Sequence, residues 1–338
     1  MNTHSKWANY SIVIIALCLL LYYGGNVVLP FIFSIFITIL LLPLVNFLER
    51  IYFPKWLAAI IAVTLITGLL GGIGFFVYTE IDVMARGLPE IIKQNKGVFQ
   101  QTGDWFASFE IADQLEQFSK EIVSNSAGYL QYILSYISST LFMIVTIPVY
   151  VLFMLIYRSR VEAFINLKYQ SNLAHAQLVG KKINKSVQNY IIGLFFVVLS
   201  VSVLLSTGLY FLDIPYWLLL GILCGLLTLL PYIGVVIGAL LPLTIAFLTK
   251  DSLFYPISVM ALFIIVQFLE GNVITPNIIG NAVNVNPVAL MLGLLLMGAL
   301  SGILGLILTI PILAVVRILF DSSEEFKPFA KLLANSDE

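Results

Sequence analysis

From Trp7 to Leu48 the chain carries no charged side chain, and this run limits the possible folds more than any motif does. A charge near the centre of a bilayer costs at least about 2.5 kcal/mol even on the mildest insertion scale. Long charge-free stretches therefore mark segments surrounded by oil rather than water. Others follow at Trp56–Thr79, Ser138–Tyr157, Tyr190–Leu212, Trp217–Thr249 and 288–316. Across the chain 60% of residues are hydrophobic and 10% charged, against roughly a quarter charged in soluble domains. No water-soluble core absorbs that much apolar surface. The expected fold class is all-α: a polytopic integral membrane protein of about eight transmembrane helices, with interrupted helices in its C-terminal half and an extramembrane helical insert. A net charge of -1 leaves no basic field for a nucleic acid to bind.

The first charge-free run is too long for one span, and Gly24-Gly25-Asn26 with Pro30 supplies the expected break into two helices joined by a tight turn. Lys6 ahead of Ile12–Leu21 imitates a signal peptide, but the chain behind is equally apolar, so the segment reads as an uncleaved first span. Trp56–Thr79 makes a third span, with Gly68, Gly71, Gly72 and Gly74 available for close helix contact. Between Glu80 and Glu121 eight acidic residues outnumber four basic ones. There Ile111, Leu115, Phe118 and Ile122 form one helical face, fit for the membrane surface, a sister subunit or the chain's own core. After the fourth span, Arg158, Arg160, Lys168, Lys181, Lys182 and Lys185 face a single acid, Glu162. The positive-inside rule makes this segment cytoplasmic, together with both termini. Ile183, Val187, Tyr190 and Ile191 form one face of the helix that leads out of it.

The chain then divides into 1–79 (three transmembrane helices), 80–137 (extramembrane insert), 138–157 (fourth helix), 158–189 (basic amphipathic cytoplasmic segment), 190–318 (C-terminal transmembrane core) and 319–338 (cytoplasmic tail). Within the core, two segments exceed one upright span. Trp217–Thr249 is interrupted by Pro231, Gly234 and Gly238. The run from Val288 to Arg317 is interrupted by Ser301, Gly302, Gly305 and Pro311. Each is one long kinked helix or a hairpin of two shorter ones; the first option gives eight spans and is preferred, the second ten. Paired interruptions are the pattern of discontinuous helices around a transport site. The Gly221/Gly225 and Gly298/Gly302 pairs mark helix packing.

Hydrolytic, redox and nucleotide-binding motifs are absent: no HExxH, GxSxG, Walker A loop or GxGxxG stands in the chain. Cys18 and Cys224 belong to no CxxC or Cys/His cluster. No enzyme, cofactor or metal is expected. The remaining polar constellation is Gln267, Glu270, Asn272, Thr275, Pro276, Asn277 and Gly280, followed by Asn281, Asn284 and Asn286. Glu270 closes an apolar run, and Pro276 frees backbone carbonyls that protein or cavity water must satisfy. An acid beside broken backbone is able to hold a proton or a cation. The competing reading makes Glu270 an interfacial carboxylate capping a loop, with the asparagines forming turns. For Pro231 and Gly234 the competing reading is a packing kink. Asp213 and Asp251 read as solvated turn residues.

Three stretches carry a family resemblance: Asp213-Ile-Pro-Tyr-Trp through Leu230-Pro231-Tyr232-Ile233-Gly234; Glu270-Gly-Asn-Val-Ile-Thr-Pro276 through Gly280; and Gly298 through Pro311. Together with the layout, they resemble the autoinducer-2 exporter family of bacterial permeases, also described as PerM-like. The chain departs from the family pattern at Leu194, Val235 and Asn277. The resemblance implies export of small signalling or metabolic molecules in some members and sodium or proton antiport in others, with homo-oligomeric assembly, a pentamer. Carried over by position, Pro231 and Gly234 make one helix break and Pro276 and Gly280 a second. Glu270, Asn272, Gln267 and Thr275 would contact ion or substrate, and Pro311 would join the gating breaks.

These readings lead to the expectation of a secondary transporter in the bacterial inner membrane. It exports a small polar solute such as an autoinducer-2-like molecule, in exchange for H+ or Na+. A passive oligomeric channel and a non-transporting membrane scaffold are the alternatives.

Overall fold

A computed structural model describes residues 3–94, 145–250, 252–280 and 284–335, and every regular element among them is helical. In order they are α1 (Thr3–Arg50), α2 (Lys55–Gln94), α3 (145–168), α4 (Leu173–Phe211), α5 (Trp217–Leu227), α6 (Ile233–Thr249), α7 (Phe254–Leu269), the short α8 (Thr275–Ile278), α9 (Pro287–Asp321) and α10 (Lys327–Leu333). Segments within α1, α2, α4, α7–α8 and α9 are each long and apolar enough to cross a membrane. Helix is the outcome chemistry demands, since in oil each backbone N–H and C=O must find its partner inside the segment. The all-α polytopic class is as expected. The amphipathic face at Ile111–Ile122 lies outside the described residues.

α1 departs from expectation by running unbroken through Gly24, Gly25, Pro30 and Pro43. Its polar side chains fold back onto the helix: the Ser34 hydroxyl donates to the Pro30 carbonyl at 2.6 Å, and that of Thr38 to the Ser34 carbonyl at 2.7 Å. Pro43 cannot donate to the Ile39 carbonyl four residues earlier. Gln188 of α4 supplies the missing donor, its Nε2 lying 2.8 Å from that oxygen. A proline in a membrane helix thus need not end it, because a neighbouring helix satisfies the freed carbonyl.

This pairing predicts a coupling. Gln188→Leu should destabilise the purified protein by about 1 kcal/mol by orphaning a buried carbonyl. In a Pro43→Ala background, where the backbone N–H returns, the same change should cost little. A double-mutant cycle on thermal unfolding checks it, and equal costs in both backgrounds would refute the pairing.

The described helices group into two compact units. In the first, Leu41 and Val45 of α1, Ala58, Ala59 and Ala62 of α2, and Val151 and Leu155 of α3 make one buried cluster. Small alanines let α2 approach closely. A second cluster joins Leu21, Leu29 and Phe36 of α1 to Val187 of α4 and Leu308 of α9. Ile183 and Ile191 pack against it and Tyr190 is buried, so the predicted face of α4 does point inward. An ion pair between Glu49 and Arg158 puts the α1–α2 turn at the same end as the start of the basic segment.

The second unit holds the later parts of α2 and α4 with α5, α6 and α7. Along α2, Gly68, Gly71, Gly72 and Gly74 face open space among the described residues, so the close contact expected of them is not made here. Gly221 and Gly225 behave as predicted. A Cβ on either would fall within about 2.1 Å of the Ser206 or Ser202 hydroxyl of α4, respectively, so the two helices pack backbone to backbone.

Both long C-terminal segments take the hairpin alternative. α5 and α6 are separate helices lying against each other, with Cys224 facing Gly238 across the pair. Pro242 deprives the Gly238 carbonyl of its helical donor, and the Cys224 thiol supplies one at 3.1 Å. α9 reverses at Gly302, whose φ of 60° and ψ of -143° no other residue adopts readily. Its limbs then run back to back: a Cβ on Gly293 would meet Leu313 and Thr309, one on Gly298 would meet Leu306, and one on Gly305 would lie 2.1 Å from the Met297 carbonyl.

Two expectations for α9 are corrected by this geometry. Pro311 is buried inside a continuing helical limb and breaks nothing. Gly302 is the turn itself rather than half of a packing pair.

Candidate functional site

The strongest polar constellation lies in the second unit, where α7 ends. Residues Glu270–Ile274 form one π turn before α8 resumes, and the Thr275 N–H donates to the Glu270 carbonyl across the widened ring. Such a turn inserts an extra residue without abandoning the helix, a local irregularity that recurs at functional sites. It also changes the role expected of Pro276. The chain stays helical through Ile278 because the widened turn absorbs the lost N–H. The second break comes at Gly280, whose φ is +53°.

Glu270 is half-buried, and both carboxylate oxygens are engaged. Gln267 Nε2 donates to Oε2 at 2.9 Å, and the Thr275 hydroxyl donates to Oε1 in a short hydrogen bond. Two neutral donors thus fix the carboxylate without cancelling its charge, and no cation pairs with it among the described residues. A carboxylate held in this way keeps lone pairs for a proton or a hard cation.

Three of the four predicted contact residues, Gln267, Glu270 and Thr275, are therefore brought together. Asn272 is not: it is exposed, and its amide donates to the Phe268 carbonyl at 2.9 Å, mending the backbone at the π turn.

The other break, at Pro231, is present as predicted. α5 ends at Leu227 and α6 begins at Ile233. Gly234 is required there, because a Cβ would lie 1.7 Å from the Leu227 carbonyl oxygen. Exposed Tyr232 takes a φ of 63°, a strained value for a residue with a Cβ. Gln267 connects this turn to the acid: with Thr228, Cys224, Val235 and Gly238 it lines an internal cavity of about 10 Å³, close to the room one water needs. Sequence reasoning missed Cys224 and Thr228. The one signal for Cys224 was Pro242, which leaves the Gly238 carbonyl in need of a donor.

The remaining candidates are structural. The carbonyl side of Asn286 caps α9 by accepting from the Ala289 N–H at 2.7 Å, and its amide donates to the Leu332 carbonyl. Asn284 accepts from the Asn335 N–H at 2.9 Å. These asparagines clamp the C-terminal segment to the linker. Asn281 and Asp251 lie outside the described residues. Asp213 is a solvated turn residue, its side chain 94% exposed, and Lys250 at 2.7 Å holds its carboxyl below the usual range by a hydrogen bond and by charge.

A family model described as AI-2E family transporter matches residues 11–325. The chain is 29% identical over 311 residues to "Putative transport protein YrrI" of Bacillus subtilis, covering 87% of this chain and 86% of that protein. It is 24% identical over 320 residues to "AI-2 transport protein TqsA" of Escherichia coli, covering 93% and 91%.

Proposed function

The chain belongs to the AI-2E transporter family, and from that premise we propose that it is a secondary permease of the bacterial inner membrane. It exports a small polar solute, autoinducer-2-like molecules being the first candidates, in exchange for a proton or sodium ion at Glu270. That it is a multi-pass membrane transport protein and not an enzyme follows from the family and its apolar helices. The observation that carries the finer reading is the half-buried carboxylate of Glu270, held by Gln267 and Thr275 at a π turn and linked through Gln267 to the α5–α6 hairpin. Hairpins and broken helices let a membrane protein bind at depth and rock between two open states. The relative named for AI-2 transport supports the solute class.

The same reading places the basic end of α3 and α4 in the cytoplasm, with both termini, because positive charge collects there. The family resemblance adds a homo-oligomer, a pentamer. The contact surfaces for solute and ion are proposed at Glu270, Gln267 and Thr275, with Pro231, Gly234 and Gly280 shaping the moving turns.

Counterflow in proteoliposomes tests the proposal. Solute loaded inside should leave faster when an opposing proton or sodium gradient is imposed, and labelled solute should accumulate transiently against excess unlabelled solute. Unitary current steps without counterflow would establish a channel instead. Absence of flux for an autoinducer-2-like solute, sodium and protons alike would favour a scaffold and defeat the transport mechanism.

A further inference from the structure

A second cavity, of about 480 Å³, opens in the first unit and shares no residue with the acidic turn. Its walls are two helical faces that carry charged side chains. Lys182, Lys185, Ser186 and Asn189 recur on α4 at the spacing of one face, as do Ala314, Arg317, Ile318 and Asp321 on the second limb of α9. Ile279 and Asn284 of the linker close a side. A contact of 3.2 Å between His175 Nε2 and the Ser322 carbonyl brings the start of α4 against the end of α9.

Three cations and one carboxylate therefore border one space. Among the described residues none of Lys182, Lys185, Arg317 and Asp321 has an ion-pair partner. Like charges gathered around a concavity repel one another unless an anion enters, and concave walls focus their field. The volume is that of a small-ligand pocket.

We propose that this cavity is an anion site for a phosphate group. The excess of two positive charges matches a phosphate dianion, or a phosphodiester with neighbouring solvent. The forked Arg317 guanidinium suits bidentate phosphate contact, while the lysines act as point charges. Ser186 and Asn189 are neutral hydrogen-bonding groups on the same wall. The site lies where both helices pass from apolar to charged sequence, the level at which lipid headgroups meet a membrane protein. A phosphate there comes either from an anionic lipid or from a soluble phosphorylated compound, and the chemistry of recognition is shared.

The test uses delipidated full-length protein in neutral detergent. Dioleoylphosphatidylglycerol is titrated and followed by native mass spectrometry, with dioleoylphosphatidylcholine as the zwitterionic control. Inorganic phosphate and glycerol 3-phosphate are titrated calorimetrically. At least one anion should bind saturably, and the Lys182→Gln/Arg317→Gln double variant should weaken it by about 10-fold or more, the loss expected for charge-assisted hydrogen bonds.

Asp321→Asn removes no cation and keeps the fold testable should the double variant misfold; it should tighten binding. Saturation by phosphatidylglycerol alone identifies a lipid headgroup, and saturation by the soluble phosphates a metabolite; either supports the site. No binding by any anion, equal binding of phosphatidylcholine, or weaker binding in Asp321→Asn would overturn it. Because the readout is binding, failure here leaves the transport reading at Glu270 untouched.

Discussion

Replacing Glu270 with Gln is expected to reduce proton- or sodium-driven flux sharply while leaving the protein folded and inserted. The glutamine side chain has the same length, and its carbonyl still accepts from either Gln267 or Thr275, the two donors that now hold the carboxylate. What disappears is the negative charge, and with it the means of taking up and releasing a cation. A charge-assisted contact is worth about 1.5–3 kcal/mol, so driven flux should fall roughly 10- to 100-fold. The measurement is solute efflux from proteoliposomes across a series of external pH values and sodium concentrations, alongside the thermal midpoint of the purified variant. A flat pH profile with an unchanged midpoint is the predicted result. Wild-type flux and pH response in the variant would remove Glu270 from the mechanism. A fall in flux matched by a fall in midpoint would make its role structural.

Charge spacing alone made the membrane class legible, because the bilayer penalises charge more sharply than any soluble core does. The same pattern could not say which breaks were real. Pro30, Pro43, Pro276 and Pro311 all sit inside helical backbone, since a proline removes a single donor that a distant side chain or a widened turn can replace. Gln188 does so for the Ile39 carbonyl and Cys224 for the Gly238 carbonyl. Gln188 lies far along the chain from Ile39, so no local window contains both halves of that pair.

The reversals occur instead at Gly302, through its dihedral angles, and between Leu227 and Ile233, where Gly234 admits a carbonyl. Glycine was visible at each position. Its function depends on what it approaches, which only the folded chain supplies. At the acidic turn the local motif sufficed to bring Gln267, Glu270 and Thr275 together, all within about two turns of helix. It failed for Asn272, which faces its own backbone.

Gly234→Ala is expected to be the most disruptive single-methyl change in the α5–α6 hairpin. An added Cβ would lie 1.7 Å from the Leu227 carbonyl oxygen and 2.6 Å from its carbon. Both are backbone atoms, so no side-chain rotation relieves the overlap. The turn must open, and opening it moves Thr228 and Val235 away from Gln267, with which they line the water-sized cavity.

Gly302→Ala differs in kind. No atom stands within 4 Å of its Cβ position, so the penalty there is dihedral strain alone, about 1–3 kcal/mol. Gly72→Ala lies in an open stretch of α2 and should be neutral or stabilising by up to about 1 kcal/mol, as for helical glycine generally. The predicted order of thermal midpoints is therefore Gly72→Ala at or above wild type, Gly302→Ala below it and Gly234→Ala lowest, with solute flux lost in the last. A Gly234→Ala protein with wild-type midpoint and flux would mean that the turn does not hold α5 and α6 this closely, and would separate the hairpin from the acid it is argued to serve.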